Sequence, residues 1–239
     1  MSAVTHTTMM GSTPVSSAST SFICIRLAAV FGVLAAAAMF VDVPLAKLVL
    51  AESAGGKHFL PGDLRKFIAL NEFFGHAVGA ALILLTVFVL DHAARPRVPA
   101  LMLFAYGPGI LADVIKFSVG RIRPLRFDWS LPITDSFVGF FPAIFKSHNL
   151  LLSGWTIQSF PSGHTATAVG LAIGLSRLYP HGKWLFATFA ALVAIQRVDA
   201  GAHWLSDTMA SACVACLWGG ILERIIAARA NRTTEIIKA

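Results

Sequence analysis

His203 and Asp207 stand four residues apart. On a helix that spacing puts both side chains on one face, where the carboxylate can fix the tautomer and orientation of the imidazole. A neutral histidine held in this way is a candidate nucleophile. Upstream lie three cations, Lys116, Arg123 and Arg197. They offer one point charge and two planar guanidinium forks, suited to the oxygens of a phosphoryl group. Between them runs Pro161-Ser162-Gly163-His164. Ser162 and Gly163 read as the opening of a helix, whose first N–H groups and dipole favour an anion. His164 then stands ready as general acid for a leaving oxygen. Phosphoryl transfer needs positioning and charge stabilisation above all, and this set supplies both.

These polar residues are exceptions in their own chain. Of 239 residues, 56% are hydrophobic and only 13% charged, against about 25% charged in a soluble domain. With a mean hydropathy of +0.72, this excludes a disordered chain and an ordinary soluble domain. The net charge of +7 fits a membrane protein whose basic residues orient its spans and meet anionic head groups, and no nucleic-acid partner is expected. Three cysteines make no disulfide framework. Cys213-x-x-Cys216 lies inside an apolar stretch and reads as helix packing. The carboxylates are scattered, so neither a metal nor another cofactor is expected.

The elements that must position the site are apolar runs of spanning length, which need about 20 residues each. An all-α, polytopic membrane protein is expected, with about six transmembrane helices in one bundle. Residues 1–21 read as a disordered leader, 22–222 as the membrane domain and 223–239 as a basic cytoplasmic tail. Within the domain, spans are expected at 22–41, 74–90, 100–119, 165–178, 184–196 and 203–222. Asp42, Pro44 and Lys47 mark the end of the first, and Gly107-Pro108-Gly109 marks a kink in the third. Residues 63–74 have the spacing of an amphipathic helix at the interface, while 125–160 form an aromatic-rich loop that either covers a lipid tail or anchors the protein in the head groups. Gly75-x-x-x-Gly79 and Gly170-x-x-x-Gly174 would permit close helix contact. Lys and Arg are denser in the short segments on the side of the termini, which places both termini in the cytoplasm. The polar clusters then gather at the outer ends of spans three to six, where charges mark function. Asp113, Arg121 and Asp199 lie beside or within these clusters, either in supporting roles or as linkage. His58, His76, His92, His148 and His181 lack convergent partners.

The three clusters resemble the signature of the type 2 phosphatidic acid phosphatase (PAP2) superfamily: K-x6-R-P, then P-S-G-H, then S-R-x5-H-x3-D. Lys116 to Arg123-Pro124 matches the first, Pro161 to His164 the second, and Arg197, His203 and Asp207 the third. The resemblance covers about residues 75–222. One position departs from it: Gln196 stands where the family usually has Ser, and its amide can still donate to a phosphate oxygen. The resemblance implies that His203 attacks phosphorus and forms a phosphohistidine while Asp207 orients it. It also implies that His164 protonates the leaving group and then activates water. Lys116, Arg123, Ser162, Gly163 and Arg197 would hold the phosphate, and no metal is required.

The expected activity is therefore a metal-independent lipid phosphate phosphatase in a bacterial cytoplasmic membrane, its site facing the periplasm or exterior. Substrate candidates are phosphatidic acid, an isoprenyl diphosphate, phosphatidylglycerol phosphate and a lipid A phosphate. A lipid-to-lipid phosphotransferase of the same superfamily is the enzymatic alternative. The related haloperoxidases are soluble, which this hydropathy opposes, and a transporter lacks the internal repeat it would show. No feature sets the oligomeric state.

Overall fold

The computed structural model describes residues 17–50, 60–141 and 154–238. The first sixteen residues of the expected leader and the centre of the aromatic loop lie outside the described residues.

Helices dominate. Helix α1 (Ser17–Ala38) begins within the expected leader, and α2 (Asp42–Val49) follows at once. Next come α3 (Gly62–Leu70), the single turn α4 (Glu72–Gly75) and α5 (Ala77–Leu90). Helix α6 (Val98–Ser118) leads into the polar region, and α7 (Gly163–Leu178), α8 (Lys183–Asp199) and α9 (Leu205–Lys238) complete the bundle. The stretch expected as a separate tail continues α9 as helix.

Three helical stretches, Thr20–Ala38, Arg95–Ser118 and Leu205–Arg232, are long and apolar enough to cross a membrane. A bent pair, Gly62–Gly75 with Ala77–Leu90, makes a fourth if counted as one span. At 16 and 17 residues, α7 and α8 fall short of the roughly 20 that a straight span needs. Lipid-facing surface is nonetheless plain. Val33, Ile110, Phe117 and Val78 are 70%, 64%, 66% and 60% exposed, a density of bare apolar side chains that water would not tolerate.

One local feature departs from the sequence reading. The amphipathic segment does not run straight into the second span, because the chain turns by 69° at His76. His76 adopts an extended backbone (φ −80°, ψ 140°), and its ring caps α5 by accepting from the Val78 N–H at 3.3 Å. Pro108, at the expected kink, lies inside α6, which continues through it.

The expectation of an all-α chain is also modified by a small ribbon, β1 (Val119–Arg121) paired antiparallel with β2 (Phe137–Phe140). Its register is Val119↔Phe140, Gly120↔Gly139 and Arg121↔Phe137, with an irregularity between Gly120 and Arg121. Such a bulge re-aims the side chain beside it, and here Arg121 is fully buried.

The main apolar core joins Phe74, Ala80 and Leu84 to Leu101, Ala105, Leu171, Leu175 and Val193. A smaller cluster of Ala46, Phe127 and Trp204 lies under the polar region. Helix α1 packs along α9, with the Ser21 hydroxyl donating to the Gly220 carbonyl at 2.9 Å. Cys213 faces α1, its Sγ within van der Waals reach of a side chain at Gly32. Helices α6 and α7 meet at Gly170 and Gly174, as the small-residue spacing suggests. A Cβ at Gly170 would lie 2.1 Å from the Phe104 carbonyl oxygen, so only hydrogen fits. Gly170→Ala must push α6 away and should cost about 1–3 kcal/mol. Thermal unfolding in detergent checks this; an unchanged midpoint would contradict so close an approach.

Candidate active site

The polar clusters converge through three connections. The Gly201 turn (φ +62°) between α8 and α9 uses a left-handed conformation that suits glycine. It folds the chain so that the backbone N–H groups of Ala202 and His203 both donate to the Arg197 carbonyl at 3.2 Å. On the other side, the Ser159 N–H donates to the Arg121 carbonyl at 3.0 Å. The Arg123 N–H donates to the Thr156 carbonyl at 3.0 Å. The segment before α7 is thereby stitched to the segment after α6.

His203 is buried, and its Nδ1 lies 2.5 Å from the Ser159 carbonyl oxygen. A carbonyl only accepts, so the proton is assigned to Nδ1 and the lone pair to Nε2. The expected partner, Asp207, stands farther off, with Oδ2 3.8 Å from Nδ1. Asp207 is linked one step removed: Oδ2 accepts from the Ser159 hydroxyl at 2.6 Å and from the Trp204 N–H at 2.9 Å. Ser159 therefore faces His203 with its carbonyl and Asp207 with its hydroxyl. No spacing marks Ser159, because a serine in a loop gains a partner only when distant segments meet.

Beneath this pair lies a charge cluster that sequence spacing did not assign. The Arg121 guanidinium donates to Asp207 and, at 2.9 Å, to Asp42 Oδ2. All three side chains are fully buried. Asp42 also accepts the Ser206 N–H at 3.0 Å, satisfying an orphan donor in the first turn of α9. Asp42 thus does more than end a span. The rings of Phe137 and Trp204 lie 4.6 and 5.4 Å from the Arg121 guanidinium carbon.

The cations expected to hold phosphate are restrained. Lys116 Nζ pairs with Asp113 at 3.0 Å beside Gly163, where a Cβ would meet Asp113 Oδ1 at 3.3 Å and Lys116 Nζ at 3.7 Å. Arg123 donates to the carbonyls of Trp155 and Gln158 at 2.8 and 3.2 Å, under the Trp155 ring. Burial first, and then the nearby Arg197 charge, lower the Arg123 pKa to about 10, so it remains a cation at neutral pH. Ser162 caps α7, its hydroxyl accepting from the Thr165 N–H at 3.3 Å. Of the described aromatic residues in this loop, Phe137 packs on Arg121 and Trp155 on Arg123.

Glu72 on α4 was missed altogether. Its Oε1 accepts from Arg197 Nη1 and lies 3.4 Å from His164 Nε2. Its Oε2 accepts from Gln196 Nε2 at 3.1 Å. The amide expected to be free for phosphate is therefore spent on a carboxylate. His76 also has a neighbour after all: its ring centroid lies 5.5 Å from that of His164. Gly75 permits both approaches, since a Cβ there would fall 2.5 Å from the His164 carbonyl oxygen. Asp199 pairs outward, with Arg65 Nε at 3.5 Å.

Chemically, the arrangement presents an imidazole with its lone pair on Nε2, a second imidazole beside a carboxylate, and a group of cations at a helix N-terminus. That set suits attack on a phosphoryl group and protonation of its leaving oxygen. Removing Arg121 would leave two buried carboxylates facing each other, and losing one partner of a buried ion pair costs about 3–5 kcal/mol. Arg121→Ala should therefore lower the unfolding midpoint in detergent sharply. Arg121→Lys, lacking the fork that spans two carboxylates, should restore little.

Comparison with known proteins agrees with the motifs. Two relatives named "Lipid A 1-phosphatase", from Rhizobium johnstonii and Rhizobium etli, are each 31% identical over 122 residues, 51% of this chain. Those alignments span 44% and 46% of the relatives, so the match covers about half their length. The crystal structure of Aquifex aeolicus LpxE superposes with a TM-score of 0.53 at 22% identity, covering 76% of this chain and 94% of that one; it has the same fold. The PAP2 superfamily model matches residues 98–230, which include all three motifs, and the chain belongs to the PAP2 superfamily.

Proposed function

We propose that this protein is a lipid phosphate phosphatase that works through a phosphohistidine on His203 without a metal. The observation that carries the reading is the Nδ1–Ser159 hydrogen bond, which leaves Nε2 of a buried imidazole as a lone pair. Nε2 attacks phosphorus, and the bond from phosphorus to the lipid oxygen breaks with its electron pair passing to that oxygen. His164 supplies the proton that oxygen takes up, then removes one from the water that releases phosphate. Lys116, Arg123 and Arg197, with the N-terminus of α7 at Ser162 and Gly163, neutralise the phosphoryl oxygens. Asp207 acts through Ser159 and stabilises the imidazolium by charge.

The substrate reaches the site from the bilayer in a six-span arrangement whose active face is periplasmic or exterior. This places α7 and α8 as short spans and counts the bent α3–α5 segment as one. Of the lipid phosphates, lipid A 1-phosphate comes first, because two Rhizobium relatives carry that activity in their names.

The test is phosphate release by purified protein from a panel of lipid phosphates. Release without an added acceptor lipid separates hydrolysis from transfer between lipids. His203→Ala should abolish turnover, a loss of about 10⁴-fold or more, while the protein stays folded in detergent. Full residual activity would remove it as nucleophile. Turnover should also survive EDTA, and a strict Mg²⁺ requirement would overturn the metal-independent mechanism.

A further inference from the structure

Glu72 lies outside all three motifs, yet it touches two of their side chains. Its carboxylate accepts from Arg197 Nη1 and from Gln196 Nε2, and stands 3.4 Å from His164 Nε2. The backbone is built to bring it there. The extended residue at His76, with the 69° bend, detaches the turn of α4 from the straight run of α5. Gly75 then lets that turn press on the His164 carbonyl, where any side chain would collide.

Charged and titratable groups approach His164 from each neighbouring element. Arg197 comes from α8, His203 from the turn before α9, His76 from the α4–α5 junction and Glu72 from α4. Lys116, paired with Asp113, flanks the preceding residue from α6. The cations oppose a second positive charge on His164. Glu72 is the carboxylate placed at ion-pair distance to favour it. The Arg197 fork is also shared out. Nη1 is held by Glu72, while Nε is buried and has no hydrogen-bond partner among the described residues. An orphan donor of that kind calls for an acceptor, and a phosphate oxygen supplies one.

We propose that Glu72 is the positioning residue of the leaving-group half of the site, holding Arg197 in place and supporting the imidazolium of His164 while it protonates the leaving oxygen. The assignment rests on the phosphatase reading. Glu72 takes up no proton. When the bond from phosphorus to the lipid oxygen breaks, the electron pair goes to that oxygen and the proton moves to it from His164. Gln196, at the family's Ser position, belongs to the same unit, because its amide holds the second carboxylate oxygen.

The discriminating measurement compares leaving groups. A lipid phosphate monoester leaves as an alkoxide and needs the acid, whereas p-nitrophenyl phosphate leaves as a stable phenolate and needs it little. Glu72→Gln should lower kcat on the lipid phosphate by about tenfold or more, within the range of general-acid contributions. The loss on p-nitrophenyl phosphate should be several times smaller. Glu72→Asp, which keeps the charge, should recover part of the lipid activity and also supplies the comparison if the glutamine variant does not fold. Equal losses on both substrates would reduce Glu72 to a structural contact and overturn the assignment, as would unchanged rates. A gain in activity with a lower KM would also overturn it, making the carboxylate a competitor for the phosphate subsite. A wild-type protein that releases phosphate from neither substrate would overturn the phosphatase reading and this assignment together. An active wild type with a flat variant ratio overturns this assignment alone.

Discussion

The arrangement depends on one buried cation. Arg121 lies between Asp42 and Asp207 with all three side chains shut off from solvent. Isolated charges at such depth are untenable, and the pairing is sustained only because nearly every donor and acceptor is matched. The match draws in distant segments. Asp42 brings α2, Asp207 brings α9, Ser136 accepts from Arg121 Nε at 3.1 Å, and the Arg121 carbonyl takes the Ser159 N–H. His203 is therefore held through Ser159 by a network whose centre is a guanidinium three hydrogen bonds away. A direct His–Asp pair would fix the ring with one contact, whereas this route makes the ring's orientation a property of the joined loops.

The second half of the site is built differently. His164 sits at the start of α7, where Ser162 caps the helix, and its neighbours come from a break in the chain instead of a buried ion cluster. The bend at His76 and the bare backbone of Gly75 put Glu72 beside it. Glu72 is partly open, with its side chain 37% exposed, while Asp207 is fully enclosed. The two imidazoles thus face different surroundings: one locked into a single tautomer by a carbonyl, the other beside a carboxylate with access to water. That difference suits a nucleophile and an acid–base group working in sequence.

Much of the site was legible because its chemistry is concentrated in short strings. Lys116, Arg123, Ser162, Gly163, His164, Arg197, His203 and Asp207 stand out as polar residues in an apolar chain, and the motifs give their order. Gly170 and Gly174 were also readable, since close packing needs small residues at helical spacing. What escaped is the pairing of residues whose partners are remote in sequence. Asp42 and Arg121 are 79 positions apart, and Glu72 and Arg197 are 125 apart. A lone acid at a span end or on an amphipathic helix looks the same whether it meets water or an arginine. Gln196 misled for the same reason, as its donor capacity was visible and its acceptor was not.

By itself the sequence determined the membrane setting, the helical class, the family signature and the identity of the polar groups. Each of these follows from composition or from local spacing, and neither needs a partner. Tertiary structure alone decided that the Ser159 carbonyl meets His203 Nδ1, that Asp207 accepts from the Ser159 hydroxyl, and that Glu72 accepts from Arg197 Nη1 and from the amide of Gln196. Those are choices among competing hydrogen-bond partners within a few ångströms, and only the packing of α2, α4, α8 and the ribbon against α9 brings the competitors together.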